Sequence, residues 1–441
     1  MSRLGPDQRL EALRFLAKYI STRRARNGKR ESGLERLAED LRNELQLDSA
    51  DKSTVSRLET ELWKCGALVE WADYNSLWRG ERSKGDEDEL ISDFHLRESI
   101  VVRTELNHKD PNGTKLHYAL ANEAADEVRT QEQYRGLRHL AVGTGRTMIR
   151  YAESIMNRPP NASTLTISPI AGRLWVGDIW KLQDDNDADS HLESPLDADF
   201  SALFIARGLH QAGRERIRFS QISHLAYTSS KEEALQVAKL RCAFDMAGGW
   251  NWDMLPPQRV VFGAASIDAA EHRVTKFLEP TVHRSLTPDL ADVVQEKFVQ
   301  CLNLAESLKL PPLADLSVPL FPTVPLPSET NKYSMETASY REIGEKLKEL
   351  NSMTVAINSI HLRSVVSSGG ISQIVAGGKS KHRLIWTLLL PGIVKGQLLP
   401  AVNSLCTDFE TAVALRQALK SLRKDPALLK QYESILLALQ N

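Results

Sequence analysis

Apolar positions recur at helical spacing from the start of the chain: Leu10, Leu13, Phe15, Leu16, Tyr19 and Ile20 within PDQRLEALRFLAKYI. They predict a first amphipathic helix. A basic, glycine-containing stretch (TRRARNGKR) separates it from a second helical run, LERLAEDLRNEL, and the link QLDSAD leads to a third, KSTVSRLETELWKCG. Gly66 is placed to stop the third helix, and ALVEWAD after it reads as a short strand. Three short helices and a strand form the layout of a winged helix-turn-helix. The run NSLWRGERSKGDEDEL, residues 75–90, is charged and glycine-punctuated and reads as a linker.

Beyond it the period changes. Candidate strands fall at Ile100–Arg103, His139–Val142, Leu165–Ile170, His224–Tyr227, Arg259–Ala264, Gln373–Ala376 and Val402–Cys406. Helical stretches at 115–133, 147–156, 199–211, 231–246, 289–308, 380–390 and 409–421 separate many of them. Such alternation predicts a Rossmann-like, mainly parallel sheet covered on both faces. An acidic segment (QDDNDADSHLESPLDAD) and a proline-rich one (LPPLADLSVPLFPTVPLPSET) read as insertions, the second extended, and DPALLKQYESILLAL reads as a closing helix. The expected division is a DNA-binding unit at 1–74, a linker at 75–90 and a ligand-binding and oligomerisation domain at 91–441.

With 56 basic and 57 acidic residues the formal net charge is −1, so a surface for nucleic acid must be local. The N-terminus lacks an apolar leader core and no long uncharged apolar run occurs, which points to a cytoplasmic protein with no membrane partner. Cys65, Cys242, Cys301 and Cys406 are far apart and form no CxxC pair, so they read as reduced thiols, with no metal site.

In the third helix Val55, Leu58 and Leu62 form the buried stripe, leaving Ser53, Thr54, Ser56, Arg57 and Thr60 on or near the other side. Short hydroxyls there approach a DNA backbone closely, and an arginine can reach guanine with two hydrogen bonds. Asp48, Ser49 or Asp51 could cap the helix, and Arg23, Arg24, Arg26, Lys29 and Arg30 could add phosphate contacts. An amphipathic helix with a solvated polar face is the other reading.

In the larger domain, Gly143-Thr144-Gly145-Arg146-Thr147 follows a candidate strand and opens a helix, where glycines permit a tight turn and amide groups suit a phosphate. It lacks the third glycine of a dinucleotide fingerprint and the lysine of a Walker loop, so a purely structural turn stays open. A second turn, Gly377-Gly378-Lys379-Ser380-Lys381, follows another strand, and a third junction is Cys406-Thr407-Asp408-Phe409-Glu410-Thr411. Ligands of open parallel sheets bind at the carboxyl ends of strands, so the three could meet at one pocket.

These blocks resemble the SorC family of bacterial sugar-responsive transcriptional regulators. STVSRL with KCGALVEW, then ELISDFHLRESIVV, HLAVGTGRTM, ISPIAG, QIVAGGKSKHRLIWTLL and NSLCTDFETA follow the family's order over nearly the whole chain. The resemblance implies an effector domain with the fold of phosphosugar isomerases and CoA-transferases, control by a phosphorylated sugar, and assembly as a dimer or tetramer on double-stranded operator DNA. It implies that Gly143, Gly145 and Thr147 hold the phosphate, assisted by Lys381, with Arg173 as a weaker addition; Thr144, through its hydroxyl, and Gly378 join the candidate site from the turns themselves. No catalytic residue and no cofactor is implied. The chain departs from the family in its basic insert at 22–30, its two insertions, and IAGRLW, which lacks a fuller glycine pattern. An isomerase- or deaminase-like enzyme is the alternative, yet Asp268, Glu271, His272 and Asp408 form no recognisable acid–base set. A ligand-free DNA-binding scaffold is the third.

Overall fold

The computed structural model describes residues 81–103, 114–130, 137–157, 165–171, 217–219, 257–263, 265–267, 288–315, 319–394 and 400–439, with isolated positions within 38–58 and 201–233. The chain divides into two compact units, Met1–Trp78 and Arg79–Asn441. In the first, Ala38, Glu39, Arg42, Asn43, Thr54, Val55 and Leu58 are helical. Val55 and Leu58 are buried and Thr54 is half-buried, as the apolar stripe requires. Leu62 and the strand expected at ALVEWAD lie outside the described residues.

The second unit is built on an eight-stranded sheet. In chain order its strands are β1 (Glu81–Arg82), β2 (Glu98–Arg103), β3 (His139–Val142), β4 (Leu165–Pro169), β5 (Ile217–Phe219), β6 (Arg259–Phe262), β10 (Ile371–Val375) and β11 (Ser404–Asp408). Their spatial order is β1-β2-β11-β10-β6-β3-β4-β5. Only the β1–β2 pair is antiparallel; the others run parallel, with Leu140 facing Arg259 and Cys406 facing Ile100, for example. Every residue of β3, β6, β10 and β11 is buried, the expected state of strands covered on both faces.

Alternation sorts these side chains between two cores. Ile100, Val102, Leu140, Val142, Val261 and Cys406 pack with helices α2 (Thr114–Thr130) and α3 (Arg146–Asn157). Val101, Ala141, Val260, Phe262, Ile374 and Leu405 pack on the other face. That face carries α1 (Lys84–Phe94), α4 (Pro288–Ser307), α5 (Thr337–Asn351), α6 (Ser359–Ser367), α7 (His382–Ile393), α8 (Phe409–Arg423) and α9 (Pro426–Ala438). Residues 384–390 of α7 are all buried, and Trp386 meets Phe94 and Tyr432 edge-on, with centroids 6.3 and 6.1 Å away.

Several elements differ from the sequence reading. The charged run at the end of the expected linker forms β1 and α1, because its charged side chains are paired, some within the run and some from far along the chain. Arg416 pairs with Asp86 at 3.1 Å and with Glu89, Arg423 with Asp93 at 2.9 Å, and Arg82 with Glu87 and Glu127 at 2.8 and 2.7 Å. Leu90 and Phe94 of the same helix are buried. The proline-rich segment contributes β8 (Leu313–Asp315) and β9 (Leu320–Phe321), which join β7 (Ala265–Ile267) in a small antiparallel sheet. Of the strand expected at His224–Tyr227, the described Tyr227 makes an isolated bridge to Thr354. The closing helix is α9, capped by Asp425. Among the described residues no helix is long and apolar enough to cross a membrane, and Cys301 and Cys406 are free and buried.

Candidate functional site

The sheet sets the site. From β3 the chain moves outward through β4 to β5, and from β6 it moves the other way through β10 and β11 toward β2. The order reverses between β3 and β6, where an open parallel sheet leaves a crevice at the carboxyl ends of its strands. The turns after β3, β6, β10 and β11 all leave from that edge, since these strands are parallel. The β3 and β10 turns are therefore brought to one end, two strand spacings or roughly 10 Å apart.

The β3 turn is tied down through its backbone. Gly143 N–H donates to Val261 O of β6 at 2.8 Å, and Gly145 O accepts from Met148 N and Ile149 N at 2.9 and 3.1 Å, which starts α3. Gly145 sits at φ +108°, a conformation that L side chains rarely adopt. Gly263, after β6, packs so closely that a Cβ there would lie 3.3 Å from Thr144 O. Thr144 and Thr147 are buried at the turn. Thr147 Oγ1 lies 2.7 Å from Nδ1 of His117 on α2. The same two helices are joined where Arg150 stacks over Tyr118 at 4.4 Å and pairs with Glu153.

The β10 turn is tied down by a carboxylate. Asp408 ends β11, is 2% exposed and caps α8 by accepting from Thr411 N at 3.0 Å. Its Oδ2 also accepts from Thr411 Oγ1 at 2.7 Å and from Gly378 N at 2.6 Å. Gly378 takes φ +90°, and any Cβ on Gly377 would collide with Asp408 Oδ2 and come within 3.0 Å of Leu120. Lys379–Lys381 then form one turn of 3-10 helix, with Lys381 N donating to Gly378 O at 2.8 Å, before α7 begins. Lys381 is half-buried and Lys379 exposed. Burial lowers the His382 imidazole below its ordinary pKa.

The structure thus brings Gly143, Thr144, Gly145, Thr147, Gly378 and Lys381 to one sheet edge, with the Gly378 N–H engaged by Asp408 and Thr411. Arg173, and Ser53, Ser56, Arg57 and Thr60 of the third helix, lie outside the described residues, as do Asp268, Glu271 and His272. Two groups escaped the sequence reading. His117 is one; its helix was recognised but its neighbour on α3 was not. The other is the polar set at the amino half of the strands. There buried Arg259 pairs with Glu98 at 3.1 Å and donates to Gln373 at 2.7 Å. Beside them His139 meets Ser168 at 2.8 Å and burial pushes its pKa down to about 3. Charged residues inside the runs RVVF and ESIVVR were the available signal.

No family model and no curated protein matches the chain. Among solved structures it is similar to the full-length sorbitol operon regulator SorC from Klebsiella pneumoniae, at 14% identity over 93% of this chain and 99% of that one, with a TM-score of 0.45. It is similar to a probable sor operon regulator from Shigella flexneri at 14% identity, over 75% of this chain and 98% of that one, with a TM-score of 0.46. It is also similar to the putative sugar-binding domain of a transcriptional repressor from Vibrio fischeri at 12% identity, over 77% and 100%, with a TM-score of 0.47.

Proposed function

We propose that this chain is a cytoplasmic DNA-binding transcriptional regulator whose operator binding responds to a small phosphorylated sugar. The carrying observation is the shared edge. Two glycine turns, each leading into a helix, leave the same end of the sheet on either side of β6, beside the point where strand order reverses. Gly143, Thr144, Gly145 and Thr147 would hold the phosphate, and Lys381 would supply a cation from the second turn. His117 keeps the Thr147 hydroxyl oriented toward one side.

The N-terminal unit, residues 1–74, would read operator DNA through Ser53, Thr54, Ser56, Arg57 and Thr60, with buried Val55 and Leu58 holding that helix in place. A dimer or tetramer formed through 91–441 would set two such helices on successive major grooves. The ligand must bind the DNA-competent and DNA-incompetent arrangements with different affinity to shift between them. Asp408, one of the groups an enzyme could use, is instead occupied by three hydrogen bonds that hold two turns together.

Anisotropy titration of the full chain on genomic DNA fragments, with and without a panel of sugar phosphates, tests this reading. Arg57→Ala is expected to weaken operator binding by at least tenfold with folding intact. Thr147→Val and Lys381→Ala are expected to abolish the sugar-phosphate response and leave DNA binding in place. A normal response in both variants moves the ligand elsewhere, and unchanged operator affinity in Arg57→Ala removes the third helix from the interface.

A further inference from the structure

We infer that a second ligand site lies on the opposite flank of the basic turn, between Lys379–Arg383 and α8, and that it takes an organic phosphate monoester with an apolar body. The cleft there has a volume of about 490 Å³, within the roughly 300–1,000 Å³ of small-molecule sites. None of Gly143, Thr144, Gly145 or Thr147 lines it, while Lys381, the cation proposed for the first site, stands at the border of both. It is also set apart by the sheet: α8 packs its Leu415 and Leu419 into the core that holds Leu405, whereas Met148 at the start of α3 belongs to the core on the other face.

The walls differ in chemistry. One carries Lys379, Lys381 and Arg383, against a single carboxylate, Glu329, which Arg383 Nε binds at 3.1 and 2.9 Å. The lining charge is therefore positive, which favours a dianion over a neutral sugar. His382 lines the same wall, and its Nε2 is buried with no hydrogen-bond partner among the described residues. The opposite wall is a stripe of α8 in which Ala414, Gln417, Ala418 and Ser421 follow helical spacing and leave room because two of them are alanines. Ala414 and Ala418, with Pro312 and Leu326, offer an apolar surface to the rest of the ligand.

The position has a consequence for control. Arg416 and Arg423, roughly on the reverse side of α8 from Ala414 and Ala418, hold the acidic face of α1. An occupant of the cleft would lie against the helix that anchors α1, the first helix of the second unit. Ligand binding itself does not depend on the regulator reading; a further effect on operator affinity would.

The test uses the full chain and phenyl phosphate as probe, with inorganic phosphate and benzoate alongside, read by calorimetry and by the melting temperature, which a ligand of the native state raises. Lys379→Glu and Gln417→Trp both change exposed positions, so the fold should survive, and circular dichroism checks it. Phenyl phosphate is expected to bind the native sequence, and each variant to weaken it at least tenfold. Full-strength binding in both variants overturns the assignment, as does the absence of binding to the native sequence. Loss in Thr147→Val with retention in Lys379→Glu places the probe in the β3 turn and also overturns it. Inorganic phosphate or benzoate binding as tightly as phenyl phosphate refutes the stated ligand class. The absence of any sugar-phosphate response in the native sequence, with phenyl phosphate still bound, would refute the regulator reading and leave this site standing.

Discussion

The turns after β3 and β10 sit at the same sheet edge, yet they are fixed by different means. The β3 turn rests on its own backbone: Gly143 reaches across to β6, and Gly145 accepts the first two amides that open α3. The β10 turn rests chiefly on one buried side chain, since Asp408 fastens Gly378 from a strand away while capping α8, with Thr411 Oγ1 as a second acceptor. A turn held by distributed local bonds loses one bond at a time. A turn held by a single carboxylate fails together with the helix start that shares it. In the proposed site the first arrangement leaves the turn's side chains to serve a ligand; the second holds the basic residues of 379–381 in register with α7 and α8.

Substitutions at the two turns should separate these modes. The largest effect is expected for Asp408→Ala, which removes a cap, the acceptor of Thr411 and one of the two acceptors of Gly378 N–H; a loss of about 3 kcal/mol should appear in urea unfolding. A loss under about 1 kcal/mol would show that the carboxylate is not what fixes the turn. Gly377→Ala comes next, at about 2 kcal/mol, because the added methyl meets Asp408 and Leu120 rather than a mobile side chain. Gly145→Ala meets nothing within 4 Å, so its cost is backbone strain alone, about 1.5 kcal/mol. If Gly145→Ala proves costlier than Gly377→Ala, the ranking of the two turns reverses.

Much of the sheet was legible because its strands are short β-branched runs between helical stretches, and buried parallel strands need no alternation to be recognised. The glycine turns were legible for the same local reason. What held them was not. Asp408 is 30 residues from Gly378, and Thr147 is 30 from His117, so neither contact leaves a mark in the surrounding sequence. Helix α1 was hidden more deeply. Its buried Leu90 and Phe94 keep helical spacing, but Asp86, Glu89 and Asp93 make the stretch look like solvated linker, and the arginines that neutralise them arrive 330 residues later. Helix α5 was missed as well, although Tyr340, Ile343, Leu347 and Leu350 keep helical spacing there. The strands β8 and β9 are two or three residues long and flanked by prolines, too short for any period to show.

The smallest of these effects bears most directly on the ligand role proposed for the β3 turn. Thr147→Val keeps the shape of the side chain and removes the hydroxyl that meets His117, so stability should fall by about 1 kcal/mol. The same change in a His117→Ala background isolates the contact, since neighbouring residues in one hydrogen-bond pair should show coupling of at least about 0.5 kcal/mol. Coupling of that size, with the sugar-phosphate response lost in both single variants, makes His117 a residue that orients Thr147. Additive costs with the response lost only in Thr147→Val separate the two side chains, and the hydroxyl then acts on the ligand without help from α2. The β3 turn would in that case be fixed by its backbone alone, which sharpens its difference from the β10 turn.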